Sequence, residues 1–345
     1  MNLQLSRILG LSLLALLFLA ACSNKPDRFV GRGFYYWKTN VNVSDYENRY
    51  MDSLKTDRFY LRFFDVDAEG KKVSPKAIIN LGKGLPKQPI VPVVFITPAA
   101  LNAMSWKELG FYARNIVALI EAKADEIGIV PAELQIDCDW TQNNKELYFE
   151  LLNRLKQQDY FKGKLLSVTI RLHQVKYLAA AGVPPADKGL LMVYNIDNLR
   201  NVKVENSILN TQSAQSYLET VGSYPLPLDI ALPIFQWTLL FEEEQLKGIL
   251  RDVNGADLKN DLLIESTGMY TYKVKEDHSL KGYTLKKGQL LRLEESHIER
   301  VKEISKYLSQ RIKGDSLNLL LYHCDSLNFK NYKTNELEKV FSSFD

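Results

Sequence analysis

The stretch Leu134-Gln135-Ile136-Asp137-Cys138-Asp139-Trp140-Thr141 decides how the chain is read. Side chains alternate faces along a strand, so Gln135, Asp137 and Asp139 share one face while Ile136, Cys138 and Trp140 share the other. The apolar set can pack under helices, which leaves two carboxylates on the opposite face. The next apolar run, Ser167-Val168-Thr169-Ile170-Arg171-Leu172-His173, repeats the arrangement. Its polar face is Ser167, Thr169, Arg171 and His173. A continuous polar face on a mid-chain strand needs partners or water, and Arg171 beside Asp137 or Asp139 supplies one.

Working outward, six further β-rich runs have similar length: Gly33–Trp37, Phe59–Phe64, Ile90–Ile96, Leu190–Ile196, Leu228–Phe235 and Leu317–Tyr322. Helical patterns lie between them. Ser105 to Ile127 opens on Ser105 and Glu108, spaced as a capping box. Lys145 to Gln158 places Leu147, Leu151, Leu152 and Leu155 on one side, and Ser213–Val221 and His297–Arg311 are weaker patterns. Strand then helix, repeated eight times, predicts an α/β fold of the (β/α)8 TIM-barrel type. A doubly wound open sheet would carry a Gly-rich phosphate turn after its first strand, and none follows Trp37. Residues 262–293 break the rhythm with three strand-like runs, which predicts a β-rich insertion between strands 7 and 8 within a single barrel domain, 30–345.

In a barrel the active groups sit at the C-terminal strand ends. Asp137 and Asp139 are therefore the candidate catalytic pair. Carboxylates this close repel, so one should stay protonated and serve as an acid. Arg171 would oppose that shift. The other strand ends supply candidate substrate-binding groups: Asp65 (with Asp67), His173, Asp197 (with Asn195), Gln236, Trp237 and Asp325. Tyr35, Tyr36, Trp37 and Trp237 suit either stacking on sugar rings or barrel packing.

The N-terminus is read separately. Arg7 precedes an apolar run from Leu9 to Ala21, which meets Leu19-Ala20-Ala21-Cys22. That is the layout of a secretory signal, too short for a comfortable membrane span, and its end matches the lipobox of bacterial lipoproteins. Residues 1–21 are thus expected to be removed, Cys22 to carry lipid, and 22–29 to form a tether. The expected location is the cell envelope, on the outer membrane in preference to the inner.

Composition narrows the function classes. Hydrophobic residues make up 46% and charged residues 25% of 345 residues, which excludes disorder for most of the chain. A net charge of +3 is too small for a nucleic-acid binder held by a basic surface. Three cysteines exclude a disulfide scaffold, and Cys138 and Cys324, on strands facing each other across a barrel, are expected to remain free thiols. Four histidines without an HExxH pattern argue against a zinc hydrolase, and no GxSxG elbow occurs. An oxygen-ligand set from Asp65, Asp137, Asp139 and Asp325 is the one metal site weighed. No cofactor or metal is expected.

Gln135-Ile136-Asp137 with Asp139, the helix containing Leu147-Tyr148 and Leu151-Leu152, and the strand Leu166-Ser167-Val168-Thr169-Ile170 resemble a family of uncharacterised bacterial lipoproteins with glycoside-hydrolase-like barrels. Phe63-Phe64-Asp65-Val66-Asp67 and Leu291-Arg292-Leu293-Glu294 extend the likeness over most of residues 30–325. More distantly, Asp137 and Asp139 resemble the last two aspartates of the chitinase-type DxxDxDxE motif. Leu134 replaces its first aspartate, and Thr141 stands where the catalytic glutamate belongs. The resemblance implies a membrane-anchored, carbohydrate-active protein, either a glycoside hydrolase or a non-catalytic carbohydrate-binding lipoprotein, and the missing glutamate keeps the two alternatives open.

Overall fold

The computed structural model describes residues 28–344. The signal segment, Cys22 and residues 22–27 of the tether lie outside these residues. Eight parallel strands close into a barrel: β1 (Phe29–Tyr36), β2 (Arg58–Glu69), β3 (Ile90–Ile96), β4 (Glu133–Cys138), β5 (Leu165–Arg171), β6 (Lys188–Met192), β7 (Leu228–Pro233) and β8 (Ser316–Tyr322). Closure comes from β1, which pairs with both β8 and β2. Each expected strand run overlaps one of these eight, and the fold is a (β/α)8 barrel. The tether span reaches one residue too far, because Phe29 opens β1. No helix among the described residues is long and apolar enough to cross a membrane.

Outward-facing Leu134, Ile136 and Cys138 are buried under the helices Leu109–Ile127 and Lys145–Lys156, whose own buried faces are apolar. Gly128 ends the first of these helices with φ +78°, a conformation that side chains disfavour. Two glycines on β1 have a different purpose. A Cβ on Gly31 would lie 2.3 Å from Asn318 Oδ1, and one on Gly33 would lie 2.7 Å from the Arg58 carbonyl. Their absence of side chain lets Arg58 lie across the barrel floor.

That floor is polar and closed. Lys188 Nζ contacts Glu133 Oε2 at 2.8 Å and Asp229 Oδ2 at 2.7 Å. Tyr60 donates to Glu133 at 2.9 Å, and the Asn318 backbone and side-chain amides each donate to Asp229 at 2.7 Å. Cys138 and Cys324 are buried free thiols.

Two features depart from the expected rhythm. After β2 the chain makes no helix; it turns back as the antiparallel strand Lys72–Lys76. The segment 70–89 carries Gly70, Pro75, Gly82, Gly84, Pro86 and Pro89, a poor helix sequence. The β-rich insertion begins at Gln236, ahead of the expected 262. Its five-stranded antiparallel sheet runs, in spatial order, Gln245–Leu250, Gln236–Glu242, Leu290–Glu295, Thr271–Val274 and Ile264–Ser266. It has its own apolar cluster, including Leu240, Ile264, Tyr272 and Leu291. The fully buried Glu294 ties it to the barrel: its carboxylate accepts from Ser207 at 2.6 Å, Trp237 Nε1 at 2.8 Å and Arg292 at 2.8 Å.

Candidate functional site

Strand β4 sends Glu133, Gln135, Asp137 and, just beyond its end, Asp139 up the inside of the barrel. Gln135 is met from the opposite wall by the Tyr35 hydroxyl and from β5 by Ser167 at 3.3 Å. Tyr35 is wholly buried and Tyr36 faces outward to Asn40 and Asn42, so both pack rather than line the mouth.

Above Gln135 sits Asp137, 3% exposed, with Oδ1 accepting from Thr169 Oγ1 at 2.6 Å. Burial pushes its carboxyl up to about 6; Arg171 opposes the shift, and the charge of Asp139 adds to it. The main cause of the upward shift is desolvation and not the neighbouring carboxylate. Asp139 is more open. Arg171 holds it with Nε–Oδ1 at 2.5 Å and a second contact at 3.2 Å, a two-pronged guanidinium–carboxylate grip. Thr141 Oγ1 is bound to Asn144 Oδ1 at 3.2 Å.

Asp65 lies in the same row as Asp137, two strands away through Phe95. It pairs with Arg62 at 3.1 Å, and burial raises its carboxyl against that pairing. Arg62 escapes a strict alternation reading, since residues three apart should point to opposite faces. A register shift between Arg62 and Phe64 brings both inward. Arg62 also lies 5.6 Å above the Trp37 ring.

His173 is not on a strand face. β5 ends at Arg171, and His173 lies exposed in the short helix Leu172–Lys176. With Arg171, Tyr194 and Asn195 it lines a small cavity of about 70 Å³. The buried Tyr194 hydroxyl has no hydrogen-bond partner among the described residues. Asp197 lines neither cavity at the mouth and contacts Ser213 Oγ at 3.4 Å. The four aspartates weighed as a metal set do not gather: among the described residues, no three of His, Cys, Asp and Glu are placed to hold an ion.

The larger opening, about 430 Å³, lies between β1, β8 and the inserted sheet. Trp37, Phe235, Trp237 and Tyr322 form its aromatic wall, with Phe235 and Tyr322 centroids 5.5 Å apart and Phe235 and Trp237 5.2 Å apart. Gln236 and Asp325 also line it, so Gln236 and Trp237 belong to the insertion's first strand and not to the end of β7. Asp325 is paired with Lys38 at 2.8 Å and accepts from the Leu327 amide at 2.8 Å. These contacts hold its carboxyl below the usual range although burial works the other way. Burial keeps His323 uncharged down to about pH 4. Asn195 lines both cavities and so connects the two halves of the mouth. Lys38, Arg251 and Lys330 were not legible as site residues in the sequence; only Lys38, directly after the Trp37 strand end, carried a signal.

No family profile and no curated protein sequence matches the chain. Solved structures do. A chitinase from Chromobacterium violaceum superposes with a TM-score of 0.53 at 13% identity, covering 91% of this chain and 98% of that one. The Bacillus cereus spore cortex-lytic enzyme SleL gives 0.57 at 10%, covering 92% and 75%. The GH18 chitinase ChiB from the chitin utilization locus of Flavobacterium johnsoniae gives 0.50 at 12%, covering 92% and 94%. At these identities the likeness is one of fold: a glycoside-hydrolase-like barrel, distantly similar to chitinases.

Proposed function

We propose that this protein is a carbohydrate-binding barrel, anchored to the cell envelope by lipid on Cys22, that holds a glycan at its mouth without cleaving it. The observation that carries the reading is the fate of the acid. Position 141 holds a threonine bound to Asn144, and Asp139 is gripped by Arg171. Asp137 is raised to about 6 by burial, and it is held against Thr169. A general acid must reach the leaving oxygen directly or through one water, and Asp137 lines neither cavity. The aromatic wall supports glycan stacking. Neighbours of this fold named as chitinases make chitin oligosaccharides the first ligand to try.

A second reading, hydrolysis with Asp137 as the acid, draws on its pKa near the working range of such groups. Calorimetric titration with chitotetraose, followed by mass spectrometry of the same sample after prolonged incubation, separates the two. Binding with intact tetrasaccharide is expected, and Trp37→Ala should weaken it by about 1–2 kcal/mol. Cleavage that disappears in Asp137→Asn would establish the second reading.

A further inference from the structure

The larger cavity carries charge that a neutral sugar does not use. Lys38 is neutralised by Asp325 at 2.8 Å, and Asp325 is further engaged by the Leu327 amide. Lys281 Nζ, near the rim, is held by the Asp257 carboxylate and the Asp252 carbonyl. Arg251, on the inserted sheet's side, and Lys330, after the short helix that follows β8, are both exposed and face the same cavity. Among the described residues neither is held in an ion pair, by Asp252 or by any other carboxylate. With His323 uncharged, the lining cations Lys38, Arg251 and Lys330 outnumber the lining carboxylates Asp252 and Asp325 by one. His323 Nδ1 is buried there without a well-formed hydrogen bond.

Aromatic wall and unpaired cations therefore approach one space from different elements. A guanidinium and an ammonium lining the same cavity as a stacking surface suit a sugar that bears an anionic group on its ring substituents. Resting on the glycan-binding reading above, we infer that this cavity selects carboxylated saccharides, with Arg251 and Lys330 contacting the carboxylate while Trp37 and Trp237 flank the ring. The inserted sheet, which brings Arg251 and Trp237 to the mouth, is then the element that sets specificity.

The carboxylate can come from a uronic acid or from a lactyl ether, and the test separates these. Full-length protein in detergent is titrated with a hyaluronan tetrasaccharide and with N-acetylglucosaminyl-N-acetylmuramic acid, each against its neutral counterpart of equal length, chitotetraose and chitobiose. At least one carboxylated glycan should bind about tenfold tighter than its neutral counterpart at low salt, a preference that 0.5 M salt reduces. Arg251→Gln and Lys330→Gln should each cut that preference about threefold. Both residues are exposed, so the variants fold. Neutral glycans binding as tightly as their charged partners, or a preference unchanged in the double variant, would overturn the inference and leave the glycan-binding reading intact. Failure of all four glycans to bind would remove both.

Discussion

The floor and the mouth of this barrel are built from the same strands with the same alternation, yet they differ in what is left open. At the floor, Glu133, Lys188, Asp229, Asn318 and Tyr60 satisfy one another. At the mouth, further up β4, burial raises the Asp137 carboxyl to about 6, the Tyr194 hydroxyl has no hydrogen-bond partner among the described residues, and aromatic rings line a cavity. Polar residues facing into a barrel are thus not a site by themselves. Closure of the hydrogen-bond network marks structure, and its incompleteness marks the place for a ligand.

The sharpest way to break this comparison is to remove the central cation of the floor. Lys188→Met leaves Glu133 and Asp229 buried against each other and should cost about 3–5 kcal/mol in urea unfolding. A loss under 1 kcal/mol would show that the floor is not a closed network.

Asp137 gives the next largest effect. Its folded pKa of about 6 lies above the unfolded value, so folding binds a proton between these pH values. The stability from this group is full below pH 4 and is lost as pH rises through 6, on the order of 3 kcal/mol. Asp137→Asn should remove that slope, read as the difference between the two urea-denaturation profiles from pH 4 to 7.

Gly33→Ala tests the floor by crowding. The added Cβ would meet the Arg58 carbonyl at 2.7 Å, and backbone cannot swing aside as a side chain can. Destabilisation of about 1–3 kcal/mol is expected. The smallest effect belongs to Asp139→Asn at the mouth. Its partner Arg171 is 23% exposed and Asp139 37%, so solvent screening limits the pair to about 1 kcal/mol or less.

The eight strands were legible because apolar runs recur at barrel spacing, and a contact of Arg171 with Asp137 or Asp139 was legible because all three sit on polar strand faces; the folded chain gives it to Asp139. Where the reading failed, a local departure from periodicity was responsible. The register shift in β2 hid Arg62 as a partner for Asp65. Arg171 caps a helical turn, which removed His173 from the strand face. The run Leu228–Phe235 passes almost directly into Gln236–Glu242, so no turn residue announced that the inserted sheet had begun. Arg251 and Lys330 lie outside the barrel strands altogether, and only the folded chain brings them to the cavity.

The central claim is that the mouth binds a glycan and lacks the means to cleave it. It is tested most directly by product analysis on a chitotetraose sample that calorimetry has shown to be bound, incubated across pH 4 to 8 so that Asp137 is sampled in both protonation states. The account predicts intact tetrasaccharide at every pH. Shorter oligosaccharides accumulating at low pH, with turnover falling as pH rises through about 6 and vanishing in Asp137→Asn, would contradict it.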